Sequence, residues 1–348
     1  MDHSHLNPPS FSTYLDQLQS PLFSVLPAEV RSEIFAFALT DFEDLSVPYS
    51  KETCYRRPGY DAPRRTRTEL LRTCKRVFQE AWFMPFAYAE HALYLTSPDR
   101  APRRHITVER MQRYLDILHA SRREDVKINH ARIFAQLWAL EPGDRLQRVL
   151  NMQHFYPRRI TITLRYTDFW YWEANEPLRV AAKWVNICRF PNSLTRLSID
   201  FESIERRKEE VNYIAKEAAE RWHFRRQDGT VLSACQAETS IMKWTGSSIW
   251  GGQRWIRDEV RPNELDYHAV TVTWRPAPSD GDVPEECPDL SVPRTFPRPP
   301  VPNPNRGEAW LELDDLRAAN VPPDATADEA YAAIVELHRQ RQRARRVR

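Results

Sequence analysis

The chain has 348 residues and a formal net charge of +2, and its hydrophobic (41%) and charged (28%) contents are ordinary for a globular protein. This length predicts one large or two modest domains. So balanced a charge argues against a general nucleic-acid binder, whose affinity needs many uncompensated cations. Only 8 glycines accompany 27 prolines, which argues against a glycine-rich loop that holds phosphate.

Cysteine usage and the N-terminal residues indicate the compartment. The five cysteines are odd in number and form no C-x-x-C spacing, so neither a disulfide framework nor a zinc site is predicted from them. No apolar signal region follows Met1, and no apolar run is long enough to span a bilayer. We therefore expect an intracellular protein, cytoplasmic or nuclear, with no membrane partner.

The first predicted helix follows a polar, flexible N-terminus at residues 1–20. Apolar residues recur at three- and four-residue spacing, at Leu26, Val30, Ile34 and Phe37. This spacing predicts a helix over residues 26–39. Pro27 suits its first turn, because the N–H that proline lacks would have no helical partner there.

A variable insert separates this helix from the next one. Residues 41–67 carry scattered prolines and arginines and are predicted as a loop. The capping-box sequence Thr-Arg-Thr-Glu at residues 66–69, and the apolar stripe after it, predict a second helix over residues 69–82. Pro85 is expected to kink or end that helix. Residues 21–90 thus form one helical segment.

The body of the chain, residues 91–275, mixes helical and strand periods. Helices are predicted over residues 108–120, 125–140, 144–154, 177–188 and 203–222. Strands are predicted over residues 158–166, 194–201, 230–234, 240–244 and 267–274. The first of these strands alternates so regularly that one buried face is expected. The order predicts an α+β fold in which a mixed β-sheet packs against helices.

The C-terminal part contains a Pro-rich segment and further helices. Ten prolines fall between residues 276 and 304, too many to pack, so residues 276–307 are predicted as a linker or a surface wrap. Within residues 308–348 we expect a short helix over 308–319 and a longer one from the capping box at 326–329. The chain ends in an Arg-rich tail.

Two motifs in the helical segment carry a family resemblance. The sequence LPAEVRSEIF at residues 26–35 resembles the first helix of an F-box, and LLRTCKRVFQEA at residues 70–81 resembles its later helix. With a variable insert between them and an α/β body after them, they are similar to a group of uncharacterised filamentous-fungal F-box-like proteins. The resemblance covers about residues 20–90, and an F-box proper lacks the insert.

The resemblance implies a protein partner and a docking face. The partner of an F-box is the Skp1-type adaptor of a ubiquitin ligase, and the body then holds a substrate. The residues that the resemblance places against the adaptor are Leu26, Pro27, Val30, Ile34 and Phe35. On this interpretation the chain is a non-catalytic protein-interaction protein.

Two other interpretations stay open. The two helices could pack only on each other and on the sheet, and the protein is then a nuclear scaffold or regulatory protein of unknown client. Alternatively it is an enzyme with an unrecognised acidic site, whose candidates gather before the last strand: Asp258, Glu259, Glu264, Asp266 and His268. A solvated acidic loop explains the same residues.

The aromatic run at residues 169–172, Phe-Trp-Tyr-Trp, is a second candidate for partner binding. In strand geometry, neighbouring side chains point to opposite faces. A run that cannot bury both sides exposes an apolar patch, with Trp170 and Trp172 as its candidate contacts. Packing of these rings in the core with Trp244, Trp250 and Trp255, or stacking on bases or sugars, are the alternatives.

No catalytic, cofactor or metal residue is predicted. The sequence lacks phosphate-loop, Rossmann, H-E-x-x-H and kinase motifs, and residues 246–251 lack the nucleophile-elbow spacing. His3 and His5 have no second ligand cluster. The Arg-rich tail suits a helix C-terminus or a nuclear-import signal. Residues 294–300 match a pattern that docks polyproline grooves.

Overall fold

The computed structural model describes residues 15–122, 125–277, 285–297, 300–301 and 309–346. Within these residues the predicted α+β class is confirmed, because helices pack against a mixed β-sheet. His3, His5 and most of the predicted flexible N-terminus lie outside the described residues. So do the last two residues of the tail and part of the polyproline-like pattern.

The α-helices vary from single turns to long rods. In chain order, those in the described residues are α1 (Pro21–Ser24), α2 (Ala28–Ala38), α3 (Lys75–Ala81), α4 (Met84–Tyr88), α5 (Val108–Arg122), α6 (Leu137–Leu140), α7 (Asp144–Leu150), α8 (Lys183–Ile187), α9 (Lys208–Arg221), α10 (Leu313–Ala318) and α11 (Ala327–Arg346). The longest, α5, α9 and α11, have 15, 14 and 20 residues.

The strands form one large sheet and three small ones. They are β1 (Asp41–Glu43), β2 (Arg64–Thr66), β3 (Glu90–Leu95), β4 (Lys127–Ala135), β5 (Tyr156–Leu164), β6 (Arg179–Val180), β7 (Arg189–Phe190), β8 (Arg196–Ile204), β9 (Phe224–Arg226), β10 (Val231–Ala234), β11 (Ser240–Ser247), β12 (Ile249–Trp250), β13 (Gln253–Arg254), β14 (Glu264–Pro276), β15 (Leu290–Ser291) and β16 (Leu311–Glu312). The small sheets are β1-β2, β12-β13-β16 and β15-β6.

The main sheet has nine strands and a parallel and an antiparallel part. Its order is β3-β4-β5-β8-β14-β10-β9-β7, and β11 also pairs with β14. Strands β3, β4, β5 and β8 are parallel neighbours. Strand β14 is antiparallel to β8 on one edge and to β10 and β11 on the other, so it joins the two parts.

The two faces of the main sheet differ in chemistry. On β8, Leu197, Ile199 and Phe201 lie in the main hydrophobic core, which also contains the predicted apolar stripe of α9. The alternate residues of the same strand, Asp200 and Glu202, point to the opposite face. Both are nevertheless buried. The sheet therefore has an apolar face under helices and a buried polar face.

The strand predicted over residues 158–166 is present as β5, but its expected single buried face was wrong. Thr161 and Thr163, the polar members of the alternation, are buried together with the isoleucines. Strands in the parallel part of a sheet are normally covered on both sides. The polar alternation of β5 therefore does not indicate a solvent-facing side.

The insert between α2 and α3 lies on the polar face of the sheet. The loop predicted over residues 41–67 contains the β1-β2 hairpin. Tyr60 and Ala62 are buried, and the Tyr60 ring meets the Phe134 ring of β4 edge to face at 4.9 Å between centroids. The insert therefore joins the helical segment to the body.

The helix predicted over residues 125–140 was wrong. Residues 127–135 form β4, and only Leu137–Leu140 is helical. The apolar spacing of Ile128, Ala131 and Phe134 fits a helical stripe as well as a strand buried on both faces. Strand β4 lies between β3 and β5, and these two partners supply its backbone hydrogen bonds on both edges.

The helix predicted over residues 69–82 is interrupted. A 3-10 turn at Leu70–Arg72 precedes α3, and Cys74 between them is extended. The predicted capping box at residues 66–69 does not begin a helix, because Thr66 ends strand β2 and the 3-10 turn begins only after Glu69. Instead the Cys74 sulfur accepts a bond from the N–H of Val77 and caps α3. Pro85 lies in the first turn of a new helix, α4, so the predicted break is present.

The C-terminal part packs more than its sequence suggested. In the Pro-rich segment, Cys287, Leu290 and Val292 are buried in the main core, and β15 pairs with β6. The expectation that this segment is too Pro-rich to pack was therefore wrong for these residues. At the start of α11, Thr326 and Glu329 exchange the two bonds of the predicted capping box, which is confirmed.

Candidate protein-interaction surface

Helix α2 turns one side toward the other helices of its segment. Phe35 is 1% exposed and Leu39 is fully buried. They belong to a small core that also contains Phe23, Val77, Ala81 and Met84. Residues four apart share a helix face, so this pair determines which side of α2 faces inward.

A buried arginine fixes the same side of α2. Arg31 donates from Nε and Nη2 to the two carboxylate oxygens of Glu80 on α3, at 3.0 and 3.1 Å. Its Nη1 donates to the Leu26 carbonyl at 2.7 Å, and its guanidinium lies 5.4 Å from the centre of the Phe23 ring. Such a bidentate pair holds α2 against α3 and also fixes the orientation of α2.

The opposite side of α2 is an exposed apolar stripe. Val30, Ile34 and Phe37 are 41%, 42% and 87% exposed. Their i, i+4 and i+7 spacing places them on one face, and we call these three residues the outer stripe. Nine of the sixteen exposed large hydrophobic side chains in the described residues lie between Leu15 and Val47. Exposed apolar surface is therefore concentrated in this part of the molecule.

The predicted docking residues divide between the two sides of α2. Pro27, Val30 and Ile34 are exposed, and Leu26 is half-buried. The prediction that Phe35 contacts a partner was wrong for this structure, because its ring fills the inner core. Phe37, which the resemblance does not assign to the docking face, is the most exposed of the large hydrophobic side chains in the described residues. The sequence signal that could have identified Phe37 is its spacing from Val30 and Ile34, which puts the three residues on one face of the helix.

The aromatic run at residues 169–172 is a turn, not a strand, and its predicted contacts are mostly covered. Trp172 is buried against Tyr166 and Trp255, so its assignment to a partner surface was wrong. Trp170 is partly buried and donates from its indole nitrogen to Glu141 at 2.6 Å. The exposed ring is Tyr171, which has a positive φ of 51°. Core packing accounts for most of this run.

Asp258, the first of the acidic candidates, is held in a buried ion-pair network. Its carboxylate lies 2.5 Å from Arg206 and 2.8 Å from Arg257, and it accepts a 2.8 Å bond from the Tyr166 hydroxyl. Burial would raise the pKa of Asp258, but hydrogen bonds and charge from Arg257, with the charge of Arg206, outweigh it and lower that pKa. Asp258 is therefore held ionised.

None of the other four candidates shares a partner with Asp258. Glu259 pairs with Arg254 at 2.8 Å, and Arg261 binds both Glu264 and Asp266. His268 hydrogen-bonds Asn212 at 2.9 Å. The five predicted candidates thus do not converge on one shared site.

The junction between insert and body is a charged cluster that the sequence pattern did not reveal. Arg57 of the insert pairs with Glu202 of β8 at 2.9 Å, with both side chains 3% exposed. Trp244 of β11 also donates to Glu202, at 3.2 Å. Burial raises the pKa of Glu202, and the attraction of Arg57 opposes this shift without cancelling it.

A second ion pair lies beside this junction on the polar face. Asp200 accepts from Arg132 at 2.6 Å, from Thr163 at 2.8 Å and from Thr271 at 2.7 Å. Burial would raise the pKa of Asp200, but Arg132, Arg57 and the threonine hydroxyls lower it overall. The insert therefore closes over a face whose buried charges are paired within the chain.

An open cleft of about 510 Å³ lies where the insert meets β11. Lys51, Arg56 and Pro58 of the insert line one side, and Trp244 and Gly246 of β11 line the other. It is concave and of mixed charge, and residues 262–264 and Pro323 complete its lining. A concave surface with a few convergent polar groups is the usual form of a binding site.

Four of the five arginines of the insert are engaged in ion pairs, and the fifth, Arg67, lies over the Phe42 ring. Arg56 binds Asp61 at 2.7 Å and Arg65 binds Asp44 at 2.8 Å, and Arg64 binds Asp41. At the C-terminus, Arg341 of α11 binds Asp315 of α10 at 2.7 Å. These contacts fix local structure, which agrees with the near-neutral charge of the chain.

Comparison with known proteins gives no relative. No family model matches this chain, and no curated protein or solved structure matches it. No helix in the described part of the chain has both the length and the apolarity needed to cross a membrane.

Proposed function

We propose that this chain is a non-catalytic protein-interaction subunit that binds a Skp1-type adaptor through the outer stripe of α2 and holds a client on its α/β body. The single observation that carries the proposal is the exposure of Val30, Ile34 and Phe37 on a helix whose other side is fixed. The F-box-like sequence at residues 26–35 contributes two of these three residues.

Helix α2 keeps its outer stripe outside the inner core of the helical segment. Burial of one large apolar side chain contributes about 1.5–3 kcal/mol, and the inner core of the segment takes Phe35 and Leu39 instead. The Arg31–Glu80 pair prevents the helix from rotating its outer stripe inward. Apolar residues at i, i+4 and i+7 on a fixed helix suit a partner that offers a hydrophobic groove.

The client side of the proposal rests on the cleft beside the insert. Lys51 and Arg56 line it, whereas the outer stripe belongs to α2. Two separate surfaces on one chain are what an adaptor needs to hold a ligase component and a client at the same time. The charged junction of Arg57 and Glu202 couples the insert to the body.

The test is binding of the purified full chain to purified Skp1, measured by calorimetry or biolayer interferometry. Ile34→Asp should weaken binding about thirtyfold or more, the loss of a central apolar contact worth about 2 kcal/mol. Phe37→Asp should act in the same direction. Because both side chains are exposed in the free chain, neither substitution buries a charge.

The matched control is Ile187→Asp, since Ile187 is also a helical isoleucine and is 46% exposed, close to the 42% of Ile34. It should leave Skp1 binding unchanged, as should Lys51→Glu in the cleft. No binding by the native chain would reject the adaptor function. Equal loss in the Ile34 and Ile187 variants would show that the effect is nonspecific. In either case the nuclear scaffold or regulatory interpretation takes its place.

A further inference from the structure

Three metal-ligand side chains from separate parts of the chain meet near the C-terminal end of α5. His119 lies in the last turn of α5, Asp125 lies shortly before β4, and His154 lies in the turn between α7 and β5. One ligand atom of each is within 4.8 Å of the other two. In the described part of the chain, no other three histidine, cysteine or acidic side chains come together in this way.

The two imidazoles are packed face to face without hydrogen-bond partners for their Nδ1 atoms. Their ring centres are 3.7 Å apart and their planes differ by 12°. Both Nδ1 atoms are shielded from solvent and have no hydrogen-bond partner. A carboxylate oxygen of Asp125 lies 3.7 Å from the Nδ1 atom of His119. Shielded nitrogens without partners are costly, and a bound ion is one way to satisfy them.

The surroundings hold the backbone of the ligand residues in place, and the two stacked rings have to turn about their side-chain bonds to aim their in-plane nitrogen lone pairs at one ion. The side chain of Gln112 on α5 donates to the Gln153 carbonyl at 3.1 Å and accepts from the Gln153 N–H at 2.8 Å. This fixes the turn that carries His154 against the helix that carries His119. His154 itself has a φ of 60°, a left-handed conformation in which histidine, asparagine and aspartate are enriched among the residues other than glycine. Asp125 is hydrogen-bonded to Tyr156.

We propose that His119, Asp125 and His154 bind a divalent transition-metal ion, with Zn²⁺ as the expected one. Two imidazoles and one carboxylate suit zinc, whereas Mg²⁺ and Ca²⁺ prefer sites made of oxygen alone. Zinc–ligand distances of about 2.1 Å place the ligand atoms of a tetrahedral site about 3.4 Å apart. The 3.7 Å between His119 and Asp125 is close to that separation.

The ion joins the end of α5 to the start of β5, so its effect is on the stability of the body. Three protein ligands leave a fourth position for water or for a ligand from a partner. The site is independent of the outer stripe and of Skp1 binding. Its presence or absence does not bear on the proposed adaptor function.

The experiment measures zinc bound to the full chain after chelator treatment and reloading, by mass spectrometry of the metal and by competition with a chromophoric chelator. His119→Ala suits a helix, and His154→Asn tolerates the positive φ. The native chain should bind one equivalent more than either variant. Zinc at about 100 times the dissociation constant should raise its Tm by about 3–6 °C and leave the Tm of both variants unchanged.

The matched control is His338→Ala, an exposed helical histidine that also faces an aspartate, Asp315. It should keep the full zinc content. Should either histidine variant fail to fold, Asp125→Asn replaces it, because this side chain is 57% exposed and its substitution should weaken zinc binding at least tenfold. Absence of zinc from the native chain would overturn the proposal. So would equal zinc in the native chain and the variants, since the zinc would then belong to cysteines or to His3 and His5.

Discussion

Helix α2 of the helical segment and helix α9 of the body both carry apolar side chains at three- and four-residue spacing. In α9 the stripe is buried, with Val211 and Ile214 fully covered. In α2 the corresponding residues Val30 and Ile34 are exposed, and Phe35 and Arg31 occupy the inner side instead. The spacing is similar, but the environments are opposite.

The difference between α2 and α9 teaches what helical spacing does and does not determine. The spacing ensures that a set of side chains shares one face. Whether that face is covered depends on what else the chain brings to it. For α9 that is the main sheet, and for α2 only the inner side meets α3 and its neighbours. The uncovered stripe is the reason for proposing a partner.

The largest expected effect is the difference in stability loss between an isoleucine truncated in α9 and one truncated in α2. Ile214→Ala should lower the free energy of unfolding by about 2–5 kcal/mol, because it leaves a cavity in the main core. Ile34→Ala removes an exposed side chain and should cost about 0.5 kcal/mol or less. Denaturant unfolding of both variants measures the difference, and equal losses would contradict the exposure of the outer stripe.

A smaller effect is expected from removing the arginine that orients α2. Arg31→Ala should destabilise the helical segment by about 1–3 kcal/mol, because it removes charged hydrogen bonds from a nearly buried site. Glu80→Gln should cost less when Arg31 is already absent than when it is present, and a double-mutant cycle measures that coupling.

Arg72→Ala is the control for this cycle, because Arg72 is an exposed arginine of the same segment. Its substitution should change stability little. If Arg31→Ala were no more destabilising than Arg72→Ala, the ion pair with Glu80 would not fix the orientation of α2.

The smallest expected effect is a change in how steeply the stability of the body falls at acid pH. The pKa of Asp258 is lowered in the folded chain from about 3.9 in the unfolded chain. Its stabilising contribution is therefore complete above that unfolded value and is lost as pH falls through the folded pKa. Asp258→Asn should make stability fall less steeply between about pH 5 and pH 2 than in the native chain. Urea unfolding across that range tests this, and parallel curves would contradict it.

Several elements could be predicted from the sequence because their causes are local. The start of α11 follows from the Thr326–Glu329 capping box, which needs only residues three apart. The break before Pro85 follows from the proline ring. The α+β class follows from the switch between helical and strand periods, and the position of α2 follows from its apolar spacing. In each case the physical cause lies within a few residues of its effect.

Other features depended on residues far apart in the sequence. Strand β4 matched a helical spacing and became a strand because β3 and β5 lie on either side of it. Phe35 and Trp172 were predicted as partner contacts, and each is instead covered by side chains that only the folded chain brings near. The charged junction of Arg57 and Glu202 and the cluster of His119, Asp125 and His154 each join residues that no motif connects.

The outer stripe combines both kinds of information. The sequence by itself determined that Val30, Ile34 and Phe37 share one face of a helix, because that follows from 3.6 residues per turn. Only the tertiary structure decided that this face is exposed. The limited inner core of the segment accommodates Phe35 and Leu39, and the Arg31–Glu80 pair holds α2 in that orientation.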